Sequence, residues 1–388
     1  MTKILHVLKS FGHPNQPYTT NLIEKLNEAS EQVVHEVICS KMFVESKKVK
    51  ARTLNSNKAL FSFKVFYFVL KSLFLDKHYK TILPDATLKN KFRFFLKWEP
   101  LLNQTVSVIH VHHLHVVPHE LIHYLKLKPN KLIVSLRGKE LVSDTVIKNQ
   151  KAKFLNKVSN FDLVHVISNF MNQKAIAQGV PENKLRLIYR GFDFNLLKTE
   201  HIKESFDIKN KNKIKAICVG RFAWEKGQFY LLDSIFRLKN EGVFVNLDIY
   251  GEGSFREFLE YRIHQLGLEG QVVLKGHVPS SVLKEVYKNY DLAIQPSIYE
   301  ALSNGLLDVT FHNLPTVVSS NGGMVEIISD GINGISFDIC EPMQLDEAII
   351  ACLHLNAENL KAHNHKLRHK FSIEKELVEF NDMYKELC

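Results

Sequence analysis

The chain alternates, twice over, between short apolar runs rich in β-branched residues and longer segments with helical spacing. In the first half the predicted strands are 4–8, 33–39, 106–111, 132–136, 163–167 and 185–189. Because a helix between two strands returns the second strand to the direction of the first, this alternation predicts βαβ units and a parallel sheet.

A polar and charged segment, residues 197–213, is the predicted linker to a second series of the same kind. The strands of that series are predicted at 214–219, 245–250, 272–274, 292–295 and 316–319. A chain of 388 residues is expected to hold two domains, at roughly 100 to 200 residues per domain. We therefore predict two doubly wound α/β domains, 1–197 with a closing helix over 371–388, and 198–370.

Composition and cysteine usage narrow the class of protein. Apolar residues make up 45% of the chain and charged residues 24%, as in globular proteins, which excludes a disordered or collagen-like chain. The cysteines are odd in number and far apart, with no C-x-x-C pair for zinc or redox chemistry. They are Cys39, Cys218, Cys340, Cys352 and Cys388. This usage favours the cytoplasm, and the first residues show no apolar signal core.

One segment accounts for the whole positive charge. Residues 41–99 contain 14 Lys and Arg against 4 Asp and Glu, a difference equal to the net charge of +10. Within it, residues 60–75 are rich in aromatic side chains and too short to span a bilayer. Lys64 and Lys71 share one side of a helix drawn through them, which predicts a helix lying on an anionic membrane surface. The alternatives are a buried helix with two lysines reaching solvent, and a nucleic-acid surface, although no nucleic-acid recognition module accompanies the patch.

The first motif directly follows predicted strand 214–219 and reads Gly-Arg-Phe-Ala-Trp-Glu-Lys-Gly over residues 220–227. Gly220 permits a tight turn out of the strand. Arg221 and Lys226 place two cations where a helix N-terminus could add free N–H groups, which together suit a diphosphate. Lys226 precedes its glycine, so the motif is not a Walker loop. Two solvated surface cations are the alternative.

The second motif, Gly251 and Gly253 after predicted strand 245–250, resembles only part of a dinucleotide fingerprint. Arg256 stands where the third glycine belongs, which disfavours a nicotinamide dehydrogenase. The two glycines are instead predicted to form a strand-to-helix turn. With them we assign His277 and Val278, which follow the next predicted strand, to the same ligand site.

The third motif, residues 296–308, is the most informative because it follows predicted strand 292–295 and combines two acids with a helix start. Ser303 or Asn304 can cap a helix that begins near Gly305. Its free N–H groups point toward the crevice that Glu300 faces, while Asp308 lies about a turn further on, so the two acids can address different parts of one ligand. The binding residues predicted here are Glu300, Asn304, Gly305, Leu306 and Asp308. A surface carboxylate is the alternative for Glu300 alone.

Histidines cluster at positions 110, 112, 113 and 115, around the end of a predicted strand. Alternation places His110 and His112 on one face and His113 and His115 on the other, so four zinc ligands cannot converge without a bend. Contact of His112 or His113 with a ligand, and hydrogen-bonded structural histidines, are the other interpretations.

Together these motifs resemble family 4 retaining glycosyltransferases, the group 1 family with two facing Rossmann-like domains known as the GT-B fold. In that family the Gly-Arg-x4-Lys-Gly segment, here 220–227, holds the donor diphosphate. A Glu-x7-Glu motif, here Glu300 with Asp308, places its first acid by the donor sugar and its second by the ribose. The resemblance covers nearly the whole chain and implies that the C-terminal helix crosses back to the first domain.

The chain departs from the family pattern in three places. Asp308 replaces the second Glu and is one carbon shorter. The glycine pair usual near the first strand is represented by Gly12, with Tyr18 following, and Arg137 replaces the histidine that many members carry before a glycine. The residues assigned to the acceptor site are Gly12, Tyr18, His112, His113 and Arg137.

The resemblance implies a hexosyltransferase that moves a sugar, with retention, from a UDP- or GDP-sugar to a lipid-linked or polysaccharide acceptor in cell-surface glycan synthesis. Arg221, Lys226 and Glu300 are the predicted catalytic residues, because fixed cations stabilise negative charge that grows on the leaving diphosphate. We expect no metal and no cofactor, since the chain has no Asp-x-Asp motif. The alternatives are a nucleotide-sugar 2-epimerase of the same fold and a nonenzymatic nucleotide-sugar or membrane-binding subunit.

Overall fold

The computed structural model describes residues 2–13, 18–30, 32–54, 87–102, 104–142, 150–198 and 213–388. The aromatic segment 60–75 and most of the predicted linker lie outside these residues. The chain divides into two compact units. Unit 1 comprises Met1–Ile167, Met171–Ile188 and Leu377–Cys388, and unit 2 comprises Ser168–Phe170 and Tyr189–Glu376.

The described part of unit 1 is built on a parallel sheet of seven strands in the order β3-β2-β1-β4-β5-β6-β7. The strands are β1 Thr2–Phe11, β2 Val33–Met42, β3 Lys50–Thr53, β4 Val108–Val111, β5 Lys131–Leu136, β6 Leu163–Val166 and β7 Leu185–Leu187. The helices through residue 178 are α1 Tyr18–Glu28, α2 Leu88–Leu102, α3 His119–Lys126, α4 Lys151–Val158 and α5 Asn169–Gln178.

Unit 2 repeats this plan, with six parallel strands among its described residues in the order β10-β9-β8-β11-β12-β13. The strands are β8 Ile214–Val219, β9 Val245–Tyr250, β10 Val272–Gly276, β11 Leu292–Gln295, β12 Thr316–Ser319 and β13 Gly334–Phe337. The helices are α6 Gln228–Asn240, α7 Arg256–Gln265, α8 Ser280–Val286, α9 Asn304–Phe311, α10 Pro342–Cys352, α11 Ala357–Lys370 and α12 Ile373–Leu387.

The predicted α/β architecture is confirmed, and its topology locates the ligand sites. Strand order reverses between β1 and β4 in unit 1 and between β8 and β11 in unit 2. In doubly wound sheets, ligands bind beyond the carboxyl ends of the strands at this reversal. The sites are therefore expected where β4, β8 and β11 end, which is where the sequence motifs lie.

The burial of a strand explains whether it could be predicted from the sequence. β11 and β12 are buried throughout, as strands of a sheet covered on both faces must be. β3 is an edge strand whose residues alternate between exposed and half-buried, and the sequence prediction missed it. The prediction also missed β13, which is four residues long and lies at the other unit's edge.

The C-terminal helix α12 returns to unit 1, as the resemblance implied. From Leu377 onward it belongs to that unit, where Phe380 and Tyr384 are buried. Arg186 of β7 also donates two hydrogen bonds to the carboxylate of Glu386. Among the described helices of the chain, none has the length and apolar character needed to cross a membrane.

Candidate active site at the strand reversal of unit 2

The loops that follow β8 and β11 are joined side by side at the reversal of strand order. The backbone N–H of Ile298 donates to the carbonyl oxygen of Glu225 over 2.9 Å. Gly227 closes the first loop with a φ of +63°, and a Cβ there would lie 2.0 Å from the carbonyl oxygen of Pro296. No other residue type fits that position without moving one loop away from the other.

Lys226 and Glu300 meet across these two loops. The Lys226 ammonium donates a hydrogen bond to Oε2 of Glu300, and each side chain is 20% exposed. A charge-assisted contact of this kind is both strong and directional. The structure thus brings together one predicted cation and the predicted acid in a half-buried pair at the strand ends.

Arg221, the second predicted cation, lies elsewhere. Its side chain is 72% exposed and Nη2 donates to Oε1 of Glu225 over 2.8 Å. An exposed pair of this type contributes little to stability, so it does not lock the arginine in place. In this structure Lys226 lies beside Glu300, whereas Arg221 lies on the solvent side of the same loop.

Helix α9 begins directly behind Glu300. Its N-cap is Ser303, whose hydroxyl oxygen accepts from the N–H of Leu306 over 3.2 Å and donates to Oε1 of Gln295 over 2.8 Å. Of the two caps considered, Ser303 is therefore the one used, and Asn304 and Gly305 form the first turn. Their side of the helix carries the free N–H groups that suit an anion.

Two buried side-chain atoms without hydrogen-bond partners among the described residues lie at the reversal of strand order in unit 2. The buried Nε2 of Gln295 and Oε1 of Gln228 make no hydrogen bond within the described residues. Both side chains line a cavity of about 10 Å³ together with Gly220 and Lys226, a volume that matches one water molecule. Buried amides are normally satisfied, so these atoms favour a bound water or ligand here.

The turn at Gly251 and Gly253 is held to the loop after β8 by backbone hydrogen bonds. The N–H of Gly220 donates to the carbonyl of Tyr250 over 3.0 Å, and the N–H of Phe222 donates to that of Glu252 over 2.9 Å. Gly251 in turn donates to the carbonyl of Gly276 over 2.9 Å. Gly276 directly precedes His277 and Val278, so this contact places that pair beside the Gly251 to Gly253 turn.

Asp308 pairs with a cation that the sequence prediction missed. Its Oδ1 lies 3.9 Å from Nζ of Lys284 on α8, and both side chains are mostly buried. Burial raises the pKa of Asp308 to about 6, although Lys284 and Arg190 act in the opposite direction. Asp308, the second acid of the third motif, thus lies where burial disfavours its ionised form.

Asp308→Asn is expected to stabilise the protein at pH 7.5 by up to about 3 kcal/mol, because a shift of roughly two pKa units makes the ionised acid costly in the folded state. The folded pKa lies above the unfolded value, so this cost develops as pH rises from about 4 to about 6. Urea unfolding should therefore separate the variant from the natural chain at pH 7.5 and not at pH 4. Glu285→Gln, at an exposed neighbour, is the control, and equal stabilities at pH 7.5 would contradict the assignment.

Two aromatic residues flank the Lys226 and Glu300 pair, and the sequence prediction did not select them. Trp224 is 45% exposed, and its ring lies 6.0 Å from that of Tyr299 in an edge contact. Each aromatic residue is within two positions of one member of the ion pair. A tryptophan in the middle of the glycine and cation motif is the signal that could have identified them.

Glu326, shortly after the glycine turn at 322–323, has a structural role. Its carboxylate accepts from the N–H of Asn169 over 2.9 Å, from the N–H of Phe170 over 2.7 Å and from the hydroxyl of Tyr189 over 2.7 Å. It thus caps the first turn of α5, where an anion is favoured by the helix dipole.

The residues assigned to the acceptor site differ in accessibility. His113 is 46% exposed just beyond β4, and the Arg137 guanidinium lies 5.7 Å from the ring of Tyr18. Gly12 donates from its N–H to the hydroxyl of Thr20 over 2.9 Å. His112 is 1% exposed with both ring nitrogens engaged, so the structure does not support its direct contact with an acceptor.

A ladder of buried histidines crosses the sheet of unit 1 and explains His112. Arg137 can only donate, so Nδ1 of His112 accepts, at 3.2 Å. Nε2–H of His112 then donates to Nδ1 of His6, and Nε2–H of His6 donates to Nδ1 of His35, each over 2.8 Å. The series ends at Nε2 of His35, which has no partner within the described residues. One arginine therefore fixes three tautomers.

A second series ties α12 to the sheet. Nε2–H of His165 donates to the carbonyl of Ile188 over 3.1 Å, so Ser135 donates to its Nδ1 over 2.8 Å. His110 donates to Ser135 over 2.7 Å and accepts from the hydroxyl of Tyr384 over 2.8 Å. Burial lowers the pKa of these histidines, to about 3 for His165, so both are neutral.

The nitrogens of His6, His110 and His112 lie within 4.8 Å of one another, close enough for a metal ion. A metal-bound histidine normally donates its other N–H to an acceptor. His112 instead accepts from Arg137, so metal binding through its Nε2 would require an imidazolate. The donor pattern favours the hydrogen-bonded ladder, the structural interpretation left open by the sequence.

Comparisons with known proteins relate unit 2 to a family of sequences. The sequence model described as "Glycosyl transferases group 1" matches residues 200–374. The uncharacterized glycosyltransferase MJ1607 of Methanocaldococcus jannaschii is 32% identical over 190 residues, which cover 47% of this chain and 48% of that protein. The amylovoran biosynthesis glycosyltransferase AmsK of Erwinia amylovora is 23% identical over 54% of this chain and 52% of its own length. The matched region thus spans about half of these relatives.

Solved structures extend the likeness to the whole chain. Anabaena HepE in complex with UDP and glucose superposes with a TM-score of 0.70 at 16% identity, over 99% of this chain and all of that one. The lipopolysaccharide outer core galactosyltransferase WaaB gives a TM-score of 0.68 at 16% identity, also over 99% of this chain and 100% of its own. At such identities the likeness concerns the fold. Residues 200–374 are thus similar to the group 1 glycosyl transferases, and the chain has the GT-B fold.

Proposed function

We propose that this protein is a glycosyltransferase that moves a sugar from a nucleoside diphosphate donor to a growing glycan. The observation that carries the proposal is the half-buried pair of Lys226 and Glu300 at the strand reversal of unit 2, beside the start of α9. Relatives named for amylovoran and colanic acid biosynthesis support a role in polysaccharide or cell-surface glycan synthesis. HepE, of the same fold, was solved with UDP and glucose.

The chemistry follows from where charge develops. As the bond from the sugar to the diphosphate breaks, negative charge grows on the leaving phosphate, and we propose that Lys226 and the N–H groups of α9 stabilise it. Glu300, already bound to Lys226, is then released toward the sugar hydroxyls. We propose that transfer proceeds with retention and without a metal ion, because these fixed donors supply the stabilisation that a metal would give.

A thermal-shift panel of UDP-, GDP- and ADP-sugars tests the donor assignment. A ligand that binds only the folded chain raises Tm, so one base is expected to raise it clearly above the others. The shift should persist with EDTA and disappear in Lys226→Met. If no nucleotide sugar shifts Tm, the proposal is wrong. Conversion of donor without acceptor would favour the epimerase, and binding without turnover the nonenzymatic subunit.

We further propose that the acceptor is lipid-linked or polymeric and is met at the cytoplasmic face of the membrane, through the basic segment 41–99. Replacement of Lys64 and Lys71 by Glu should release the protein from vesicles of phosphatidylcholine and phosphatidylserine at low salt, since each lysine contributes about 1 kcal/mol near an anionic surface. Co-sedimentation with the vesicles measures the fraction of protein that is bound. Unchanged partitioning would instead favour a buried helix.

A further inference from the structure

A buried carboxylate lies behind the exposed histidine at the strand reversal of unit 1. Glu140, just after β5, is 1% exposed, and its Oε2 accepts from the N–H of Arg137 over 3.3 Å. Its Oε1 lies 3.5 Å from Nδ1 of His113, whose side chain is 46% exposed. Within the described residues Oε1 has no regular hydrogen-bond partner, and His113 is the group that it faces. The carboxylate is thus aimed at His113 from inside the protein.

The charges around Glu140 keep it ionised. Burial alone would raise its pKa, but the His113 contact, a backbone hydrogen bond and the nearby His115 outweigh burial and lower the pKa to about 2. Arg137 and Lys157 also face this carboxylate. A buried anion costs several kcal/mol unless such partners surround it, so the site is built around a charge.

An ionised carboxylate can only accept, which fixes the tautomer of the histidine that it faces. In the neutral form of His113, Nδ1 therefore carries the proton and Nε2 keeps the lone pair. This tautomer is the reverse of that of His112, which Arg137 forces to accept at Nδ1. Two consecutive histidines thus hold opposite tautomers, and the exposed one is the better hydrogen-bond acceptor for an incoming hydroxyl.

We propose that Nε2 of His113 accepts a hydrogen bond from a sugar hydroxyl of the acceptor, and that Glu140 is the residue that positions His113 for this contact. The proposal rests on the proposed function and adds to it a specific acceptor contact and its supporting residue. Contacts at 3.5 Å in a free enzyme commonly shorten when substrate binds.

The tautomer of His113 tests the positioning role without any turnover. In the full chain labelled with ¹⁵N-histidine, His113 is identified by the signals lost in His113→Gln. The natural chain and Glu140→Gln, which keeps the accepting oxygen, should show Nδ1–H, whereas Glu140→Leu should shift His113 toward Nε2–H. Glu120→Gln, at an exposed position, is the control. An unchanged tautomer in folded Glu140→Leu would overturn the positioning role.

Addition of octyl glucoside, galactoside and mannoside tests the hydroxyl contact. We expect at least one of them to shift the His113 ring signals of the natural chain, with affinity reduced about tenfold in Glu140→Leu. No shift with any of the three would overturn the contact. The donor-dependent change in Tm of each variant is measured in parallel. A normal donor response without a His113 response rejects this inference alone, whereas no donor response in the natural chain rejects the proposed function.

Discussion

Lys226→Met is expected to lower sugar transfer about 100-fold, the usual loss when one fixed donor to a developing negative charge is removed. The substitution also leaves Glu300 half-buried without its cation, so this acid loses its orientation as well as its partner. The measurement is steady-state transfer from the donor identified by thermal shift. Circular dichroism on the same samples verifies the fold.

Lys215→Met, at an exposed position on β8, is the matched control and should leave transfer unchanged. Arg221→Ala is expected to cost about tenfold, or roughly 1.4 kcal/mol. Its exposed side chain must first leave Glu225 to reach a diphosphate. Near-natural transfer in Lys226→Met would reject the diphosphate role of this lysine, and with it the central contact of the proposed site.

Acidification from pH 7.5 to pH 5.5 should destabilise unit 1 by on the order of 7 kcal/mol. Five of its histidines are buried, and burial lowers the pKa of each: His6, His35, His110, His112 and His165. Folded pKa values below the unfolded 6.5 mean that this stability is present above pH 6.5 and is lost as pH falls. One pH unit below 6.5 costs about 1.4 kcal/mol per histidine, and the sum approaches the whole stability of a domain.

The two tryptophans of the chain lie in different units, so the loss of stability in unit 1 can be followed separately. Trp98 is 4% exposed on α2 of unit 1, so its fluorescence in Trp224→Phe reports urea unfolding of that unit. His35→Gln should reduce the pH dependence by about one proton, whereas His115→Gln, at an exposed position, should not. Equal urea midpoints at pH 7.5 and 5.5 would show that the buried histidines are not held neutral.

The sequence was most informative for the central strands of unit 2. The ends predicted for β8, β9, β11 and β12 are those observed. β11 and β12 are buried at every residue, so an apolar run there has no solvent-facing alternative. β3 reads Lys-Ala-Arg-Thr and pairs at an edge through backbone atoms, so its side chains carry no strand pattern. The central strands, and hence the fold class, could be predicted, while the edge strands could not.

The same contrast holds at the candidate site. Glu300 and Lys226 could be placed together because neighbouring parallel strands end at one edge of the sheet. The direction of Arg221 depends on Glu225, four residues away, and the burial of His112 on His6 from another strand. Glu140 lies three residues after Arg137, and its burial and its contact with His113 appear only in the structure.

The bond from Tyr384 to His110 has a consequence for how the chain is made. On the ribosome the strands of unit 1 emerge first, yet the helix that covers His110 and His165 is synthesised after nearly all of unit 2. The polar groups on that face of the nascent sheet must stay hydrated or chaperone-bound in the interval. Emergence of α12 from the ribosome, rather than completion of the seven strands, is therefore the event that allows the first unit to close.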